Sequence, residues 1–532
     1  MAIQSNDFET PKQKPRTAAG ELQTLIDEGT RAYEAENFRL AVAKFSQALR
    51  QSPKSTEALY ARGLAYFVQD QYREAIADCD SGLSVEPKGS RFLFLRGDAR
   101  ARSKEYAEAL ADFRLGLKYE AKSGFGWYML GFCHVELREF DKAVDALDRA
   151  INLDEEDDAA WYQRGRAHFY LDDNKATERD LDKAIELDAE CTGAYEYRGR
   201  HYLFTGRYEE AAADLDVVVG ILPDWHAVRA YRAEALVELD DRLDDALTDA
   251  DLAVQHNPDW VYAYQVRAQV HVRRLDNAGA LADLNKAIEL DGGKNEDLLL
   301  FRAQVQLFEG HYAEATGDLK TVVDLDPENA TAYCLFAQLH FEEDRYTEAL
   351  TASEASLALN ADDPDAVEIR ALSQAKLKNR KAALADVERL FKLKGDDDAD
   401  VYIVRGDCYY FLGDYPAAYK SYDRAMDLEP DNAEHANEYA YALAGCPDAA
   451  HRDVKLALQL CDKALTLAKD PQSQEAWWHR DTQAVALAAD GQFDRAVALL
   501  DDVLKHLTHV AMRQESIDRR ELFLQRKVFV EG

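Results

Sequence analysis

The chain has 532 residues, 47% of them hydrophobic, and a formal net charge of -36, with 100 acidic against 64 basic side chains. This acidic balance disfavours nucleic-acid binding, because a phosphate backbone would be repelled. No stretch approaches the ~18 consecutive apolar residues of a membrane span, and the first residues lack a secretory signal. The sequence therefore predicts a cytoplasmic protein.

The opening stretch, residues 1–21, differs in composition from the rest of the chain. It carries Pro11, Lys12, Pro15 and Arg16 and has no apolar period. We expect a disordered tail there, since nothing in it would hold the backbone in place.

From residue 22 to residue 506 the chain repeats a unit of 34 residues. Position 20 of the unit is usually alanine, and position 8 is glycine in the first six copies, at Gly29, Gly63, Gly97, Gly131, Gly165 and Gly199. Small residues at these positions let two antiparallel helices approach closely, while larger apolar residues fill the space between hairpins. One hairpin cannot bury its apolar face alone, so the pattern predicts a stack of helical hairpins.

This pattern resembles the tetratricopeptide repeat family, whose unit also has 34 residues. The resemblance implies an all-α fold, a right-handed superhelix of helical hairpins, over residues 22–506, with a C-terminal capping helix and tail in residues 507–532. About fourteen copies are predicted, beginning at Leu22, Thr56, Ser90, Gly124, Asp158, Thr192, His226, Val261, Glu296, Ala330, Pro364, Ala399, Ala433 and Trp477.

Position 7 of the unit is arginine in nine copies, which suggests at first a ladder for phosphate groups. In eight of them position 23 is aspartate, as in Arg62 with Asp78, and the twelfth copy departs, with Arg405 facing Ser421. Where the arginine is missing the aspartate is missing too, as in Leu130 with Ala146. Positions 7 and 23 lie opposite each other in a hairpin. The sequence therefore predicts an ion pair within each of these repeats.

The resemblance also implies a partner-binding groove lined by the first helix of each hairpin. The predicted partner-binding residues combine an aromatic stripe with a two-arginine clamp for a carboxylate or phosphate, and they are Tyr60, Phe94, Tyr128, Phe132, Tyr162, Arg166, Tyr170 and Arg200. Two alternatives remain open. The rings could instead be core residues, and Glu196 could pair with either arginine.

The groove positions of the later copies are strongly acidic, which favours basic partner segments there. No cofactor, metal or catalytic set of residues can be placed in the sequence. We therefore predict a non-catalytic scaffold or adaptor that binds peptide or protein partners along the groove. The alternatives are a self-assembling structural component and, less in keeping with the residues, a regulatory enzyme with a site inside the superhelix.

The end of the chain carries a further resemblance. Cys446-Pro447-Asp448, followed by Arg452-Asp453, is similar to a closing module of bacterial multi-repeat proteins of this family, which implies a bacterial source and a structural cap. Residues 515–528 contain both apolar and basic side chains and are expected to cover the last hairpin. A partner-binding or membrane-surface helix is the alternative for that segment.

Overall fold

A computed structural model describes residues 18–240, 242–468 and 470–530. In these ranges the regular structure consists of 29 α-helices and one 3-10 turn, with no strand. The all-α class of stacked helical hairpins is thereby confirmed. The chain divides into two compact units, unit 1 (Met1–Ala235) and unit 2 (Leu236–Gly532). Most of the tail predicted for residues 1–21 lies outside the described residues, and α1 begins at Ala18.

Unit 1 consists of six hairpins in which each odd-numbered helix packs against the even-numbered helix that follows it. The helices are α1 (Ala18–Glu34), α2 (Phe38–Gln51), α3 (Thr56–Phe67), α4 (Tyr72–Val85), α5 (Ser90–Arg102), α6 (Tyr106–Tyr119), α7 (Gly124–Glu136), α8 (Phe140–Leu153), α9 (Asp158–Tyr170), α10 (Asn174–Leu187), α11 (Thr192–Phe204) and α12 (Tyr208–Ile221). The boundary between the units falls in α13 (His226–Glu238).

Unit 2 continues the same alternation and ends in a single additional helix. Its helices are α14 (Leu243–His256), α15 (Val261–Arg273), α16 (Asn277–Asp291), α17 (Glu296–Phe308), α18 (Tyr312–Leu325), α19 (Ala330–Glu342), α20 (Tyr346–Leu359), α21 (Pro364–Lys376), α22 (Arg380–Lys394), α23 (Ala399–Phe411), α24 (Tyr415–Leu428), α25 (Ala433–Gly445), α26 (Val454–Leu467), α27 (Gln474–Ala489), α28 (Phe493–His506) and α29 (Val510–Leu524).

The predicted starts of the repeats match the first helices at twelve of fourteen positions. Capping side chains explain much of this agreement. The Ser123 and Asp157 side chains, for example, accept hydrogen bonds from backbone N–H groups three residues on, at 3.0 and 3.1 Å. Such a cap satisfies one of the free donors at a helix start and fixes where the helix begins. The two exceptions are the first and last copies, where the helix begins at Ala18 and Gln474.

Most of the position-8 glycines are required by the side chain sixteen residues later in the same hairpin. A Cβ added at Gly131 would lie 2.5 Å from Cγ of Leu147, which is fully buried. At Gly406 the same atom would lie 2.5 Å from the ring of Tyr422. The glycine therefore makes room for the large position-24 residue, and it is this contact that draws the two helices together.

The predicted ion pair within each repeat is present wherever both partners are described within one unit. The arginine holds the aspartate through two of its nitrogens at 2.6–2.9 Å, in the pairs Arg62–Asp78, Arg96–Asp112, Arg164–Asp180, Arg198–Asp214, Arg267–Asp283, Arg302–Asp318 and Arg370–Asp386. The first copy carries the reversed pair, Lys44 with Glu28, at 2.6 Å. In the twelfth copy Arg405 donates to the Ser421 hydroxyl at 3.1 Å.

The structure adds a link between repeats that the sequence comparison did not predict. The third guanidinium nitrogen reaches back to position 25 of the preceding hairpin. Arg164, for example, contacts Asp148 at 2.6 Å, and Arg198 contacts Asp182 at 2.5 Å. Arg164 and Arg198 therefore each join the two helices of their own hairpin to one helix of the hairpin before it.

The Cys446-Pro447-Asp448 segment forms a short insertion between α25 and α26. Arg452 donates from Nε to the Cys446 carbonyl at 2.6 Å, and the Asp448 side chain caps the 3-10 turn Ala449–His451. Asp453 then caps α26 by accepting from Leu456 N–H at 2.9 Å. These contacts account for the residue types of the segment, and its likeness to a bacterial closing module stays a prediction.

The last helix, α29, covers the final hairpin. Phe523 is fully buried, the Ser516 hydroxyl donates to Asp481 at 2.6 Å, and Arg519 forms a buried ion pair with the same carboxylate. Its N-terminal end also returns to an earlier part of unit 2, since the Val510 N–H donates to the Glu309 carbonyl at 3.1 Å. The helix thus caps the last repeat and contacts the turn between α17 and α18.

Candidate partner-binding face of unit 1

Three first helices of unit 1, α7, α9 and α11, carry matching stripes of aromatic and charged side chains. Residues four apart lie on one face of a helix. The stripe face is defined here by the residues at positions 5, 9 and 13 of these helices, which are Tyr128, Phe132 and Glu136, then Tyr162, Arg166 and Tyr170, and then Glu196, Arg200 and Phe204.

Tyr197, which is only 6% exposed, packs among the side chains of this face, although its position in the repeat is not one that the family resemblance assigns to the groove. Arg166 Nε donates to the Tyr197 hydroxyl at 3.0 Å, and the Tyr170 hydroxyl lies 3.3 Å from the same oxygen. The guanidinium carbons of Arg166 and Arg200 lie 5.5 and 4.8 Å from the Tyr197 ring centroid. The two arginines predicted as a clamp are therefore brought together around one aromatic ring.

Each of these arginines already has an acidic partner. Arg166 Nη1 lies 2.7 Å from Glu136 on the preceding first helix, and Arg200 Nη1 lies 3.3 Å from Glu196 on its own helix. The sequence offered Glu196 as a partner for either arginine, and the structure gives it to Arg200. Burial raises the pKa of Glu196 in spite of Arg200 beside it. An anionic ligand at this face would have to compete with the two glutamates.

Tyr128 and Tyr162 are half-buried in the structure. Burial raises the pKa of the Tyr128 hydroxyl to about 12 and that of Tyr162 further still. Among the described residues neither hydroxyl makes a hydrogen bond within the protein, and neither oxygen is enclosed without a partner. Gly193 makes room for the Tyr162 ring, since a Cβ there would lie 2.7 Å from it. These rings thus pack by their sides and keep their hydroxyl ends accessible.

The remaining predicted site residues lie on α3, α5 and α7 and have different surroundings. Phe94 is only 8% exposed and packs against Phe113 and Phe125, so it belongs to the core between hairpins. Tyr60 is half-buried, with Arg91 at 5.3 Å from its ring centroid. Phe132 meets Tyr106 edge-on at 6.3 Å. No ring contact joins Tyr60 or Phe94 to the Tyr197 cluster within the described part of unit 1.

Two aromatic rings on these helices are exposed. Phe204, at the end of the α11 stripe and one turn beyond Arg200, is 72% exposed, and Phe125, at the start of α7 and in contact with Phe94 and Phe113, is 48% exposed. Large exposed rings are typical of protein contact surfaces rather than of a protein interior.

The described residues were not predicted to bind a metal or to cross a membrane. No group of three or more His, Cys, Asp or Glu side chains is placed to hold a metal ion in that part of the chain. None of the described helices combines the length and the apolar character that crossing a membrane requires.

Three relatives and solved structures illustrate what the chain is similar to. It is 23% identical over 242 residues to the DnaJ protein P58IPK homolog A of Oryza sativa subsp. japonica, covering 38% of this chain and 50% of that protein. It is 26% identical over 187 residues to the DnaJ homolog subfamily C member 3 of Gallus gallus, covering 32% and 37%. The chain thus spans at most about half the length of the curated relatives it matches. The solved APC/C hetero-tetramer Cut9-Hcn1 is 14% identical, with a TM-score of 0.43 over 88% of this chain and 97% of that one.

Models of one repeat family match along the chain. Three tetratricopeptide repeat models match residues 26–84, 69–124 and 162–224, residues 307–372, and residues 124–157 and 399–432, which together are more than half of the sequence. The matched segments follow the helical hairpins and the spacing of the glycines and ion pairs described above. The chain therefore belongs to the tetratricopeptide repeat family.

Proposed function

We propose that the protein is a non-catalytic scaffold that binds peptide or protein partners through the stripe face of unit 1. The observation that carries this proposal is the convergence of Tyr162, Arg166 and Arg200 around Tyr197. Tyrosine and arginine are enriched among the residues that dominate binding energy at protein interfaces. Aromatic rings give a large contact area for little lost side-chain freedom.

The ion pairs of the stripe face suggest which partners it prefers. A partner carboxylate can replace Glu136 at Arg166, or Glu196 at Arg200, while each guanidinium keeps its stacking on an aromatic ring. The exchange is selective because an apolar side chain at the same place would leave the arginine without an anion. The proposed ligand is therefore an extended segment with an acidic side chain beside an apolar one, the apolar one resting on Phe204.

For unit 2 we propose basic partner segments instead. Its first helices carry the acidic groove residues Glu342, Glu368, Asp400 and Asp407. Such a surface steers cationic segments toward it at a rate that falls with salt. The cytoplasmic location and the bacterial source stay predictions from the sequence.

Selection of a displayed random peptide library on the full chain tests the site in unit 1. We expect enrichment of acidic-apolar segments, with binding weakened about tenfold or more by the combined change Arg166→Ala and Arg200→Ala. Tyr197→Phe, which removes only the bridging hydroxyl, should weaken binding less. The matched control is Arg73→Ala, an exposed arginine on the second helix α4, and it should leave binding unchanged.

Two outcomes would contradict the proposal. One is selected peptides that bind the double variant as tightly as the wild type while its circular dichroism is unchanged. The other is a molar mass of the wild type that rises with protein concentration in light scattering, while that of the double variant does not. This result would identify the stripe face as a contact between copies of this chain.

A further inference from the structure

Unit 2 contains a cavity of about 570 Å³ that is lined by first helices of its later hairpins and by α29. This volume lies within the range of small-molecule sites, ~300–1,000 Å³. Five different helices contribute acidic side chains to its lining, which are Glu342, Asp407, Glu434, Glu438, Asp481 and Glu515.

Glu438 shows that the negative charge of this lining is not balanced. The charges that act most strongly on it are carboxylates, with Asp407 and Glu434 ahead of Glu368 and Asp400. Burial and these neighbours raise the pKa of Glu438 well above its usual range. A carboxylate in this position is stabilised by any cation that enters the cavity.

Arg519 is the one lysine or arginine among the described residues that line the cavity. It is held by Asp481 and Glu515, on the side of the cavity that α29 closes. Its charge is therefore already matched, and Glu438 and Glu434 on α25 face the cavity without a basic partner in the lining.

Asn437 gives a second and independent sign of an absent ligand. It lines the cavity, is 3% exposed, and its Oδ1 has no hydrogen-bond partner. A buried amide oxygen without a donor is unfavourable, so such groups are normally paired in native proteins. The donor it lacks is an N–H or O–H group.

Aromatic rings form much of the remaining wall. The lining includes Phe308, Tyr410, Phe411, Tyr441 and Trp478. The faces of such rings attract cations, most strongly where water is excluded. Carboxylates, aromatic rings and an acceptor oxygen together suit an organic cation with alkyl segments better than a single inorganic ion, which would leave most of the volume empty.

We propose that this cavity binds a flexible organic cation carrying two or more alkylammonium groups, with Glu438 and Asn437 holding one ammonium and the aromatic wall covering the alkyl chain. The same chemistry is present in a free polyamine and in lysine side chains of a basic segment. The proposal does not depend on peptide binding at the stripe face of unit 1.

Calorimetric titration of the full chain with spermidine, at constant ionic strength, tests the proposal. We expect saturable binding that is about tenfold weaker in Glu438→Gln, since one charge contact is lost. The matched control is Glu354→Gln, which removes the same charge from an exposed position on the second helix α20. It should bind spermidine as the wild type does, and magnesium chloride should not displace the ligand.

A trilysine peptide forms the second arm of the experiment and identifies the source of the cation. If the peptide binds with the same dependence on Glu438 and spermidine does not, the alkylammonium site stands and its ligand is a protein segment. The proposal is wrong if neither probe depends on Glu438, or if Glu354→Gln weakens binding equally, because the attraction would then be that of the general charge. Glu342→Gln serves as the second lining variant should Glu438→Gln fail to fold.

Discussion

The ion pair of the sixth repeat provides a quantitative test of how the hairpins are held together. Arg198 holds Asp214 through Nε and Nη2, both at 2.7 Å, and the Asp214 side chain is 9% exposed. Removing one partner of a buried pair leaves an uncompensated charge, which destabilises a protein by ~3–5 kcal/mol. We expect a loss of this size for Arg198→Ala, in the free energy of unfolding measured by denaturant titration with circular dichroism.

Two further variants separate pairing from packing. The double variant with Asp214→Ala should be at least ~1 kcal/mol more stable than Arg198→Ala alone, because no charge is then stranded. Asp182, which Arg198 also contacts, has a side chain that is 51% exposed. Asp182→Ala should therefore lose no more than ~1 kcal/mol, the value of a surface pair.

The pH dependence of Arg198→Ala adds a second readout. Burial raises the pKa of Asp214 even with Arg198 in place, and without the arginine it should rise further. A carboxyl whose folded pKa exceeds its unfolded value favours folding below the unfolded pKa, ~3.9, and this advantage is lost as the pH rises through the folded value. The loss of unfolding free energy caused by Arg198→Ala should thus be larger at pH 8 than at pH 5. Equal losses in the single and double variants at both pH values would refute the reasoning.

Three further changes have expected outcomes that thermal or denaturant unfolding can check. Gly131→Ala should destabilise the chain by ~1–2 kcal/mol, since the added methyl overlaps the Leu147 side chain. Gly220→Ala, with open space around it, should stabilise the chain by ~0.5–1 kcal/mol. A stabilising effect of Gly131→Ala would contradict the close approach of the two helices. Glu438→Gln should raise the melting temperature at pH 8 and have little effect near pH 4. The reason is that ionised Glu438 destabilises the fold, and it becomes ionised only as the pH rises through its raised pKa. The same change in melting temperature at both pH values would contradict this. Phe523→Ala should lower the free energy of unfolding by ~3–5 kcal/mol, since Phe523 is fully buried. Leu524→Ala, at an exposed position, should lower it by less than ~1 kcal/mol. Similar losses in the two variants would mean that α29 does not cap the last hairpin.

The repeat period made most of the fold predictable. Glycine at Gly131 and the covarying pair Arg198 and Asp214 each occur at fixed positions, so one chain supplies many copies of the same local contact. A hairpin is a local structure, and its packing depends on residues about sixteen positions apart. Comparison of copies could therefore identify both contacts before any coordinates were known.

The sites were harder to predict because they depend on what differs between copies. Tyr197 occupies a position that the family pattern does not assign to the groove, and its role arises from the arginines of two neighbouring helices. The contact of Val510 with Glu309 joins residues about two hundred positions apart, and no repeat spacing encodes it. Residues of α29, among them Glu515 and Arg519, also line the cavity of unit 2, and the repeat spacing does not place them there.

The position-7 arginines, which bind one acceptor in their own copy and one in the copy before, have a consequence for rearrangements of the gene. Most of these arginines take one acceptor from position 23 of their own copy and one from position 25 of the copy before, so excising or duplicating one 34-residue copy supplies an equivalent acceptor at most junctions. The exceptions follow the third and ninth copies, which carry Arg114 and Lys320 at position 25, and there the next copies have Leu130 and Phe336 in place of the arginine. Shortened or lengthened chains should thus assemble readily at most junctions, and the scaffold can change its span by recombination without redesign of its joints.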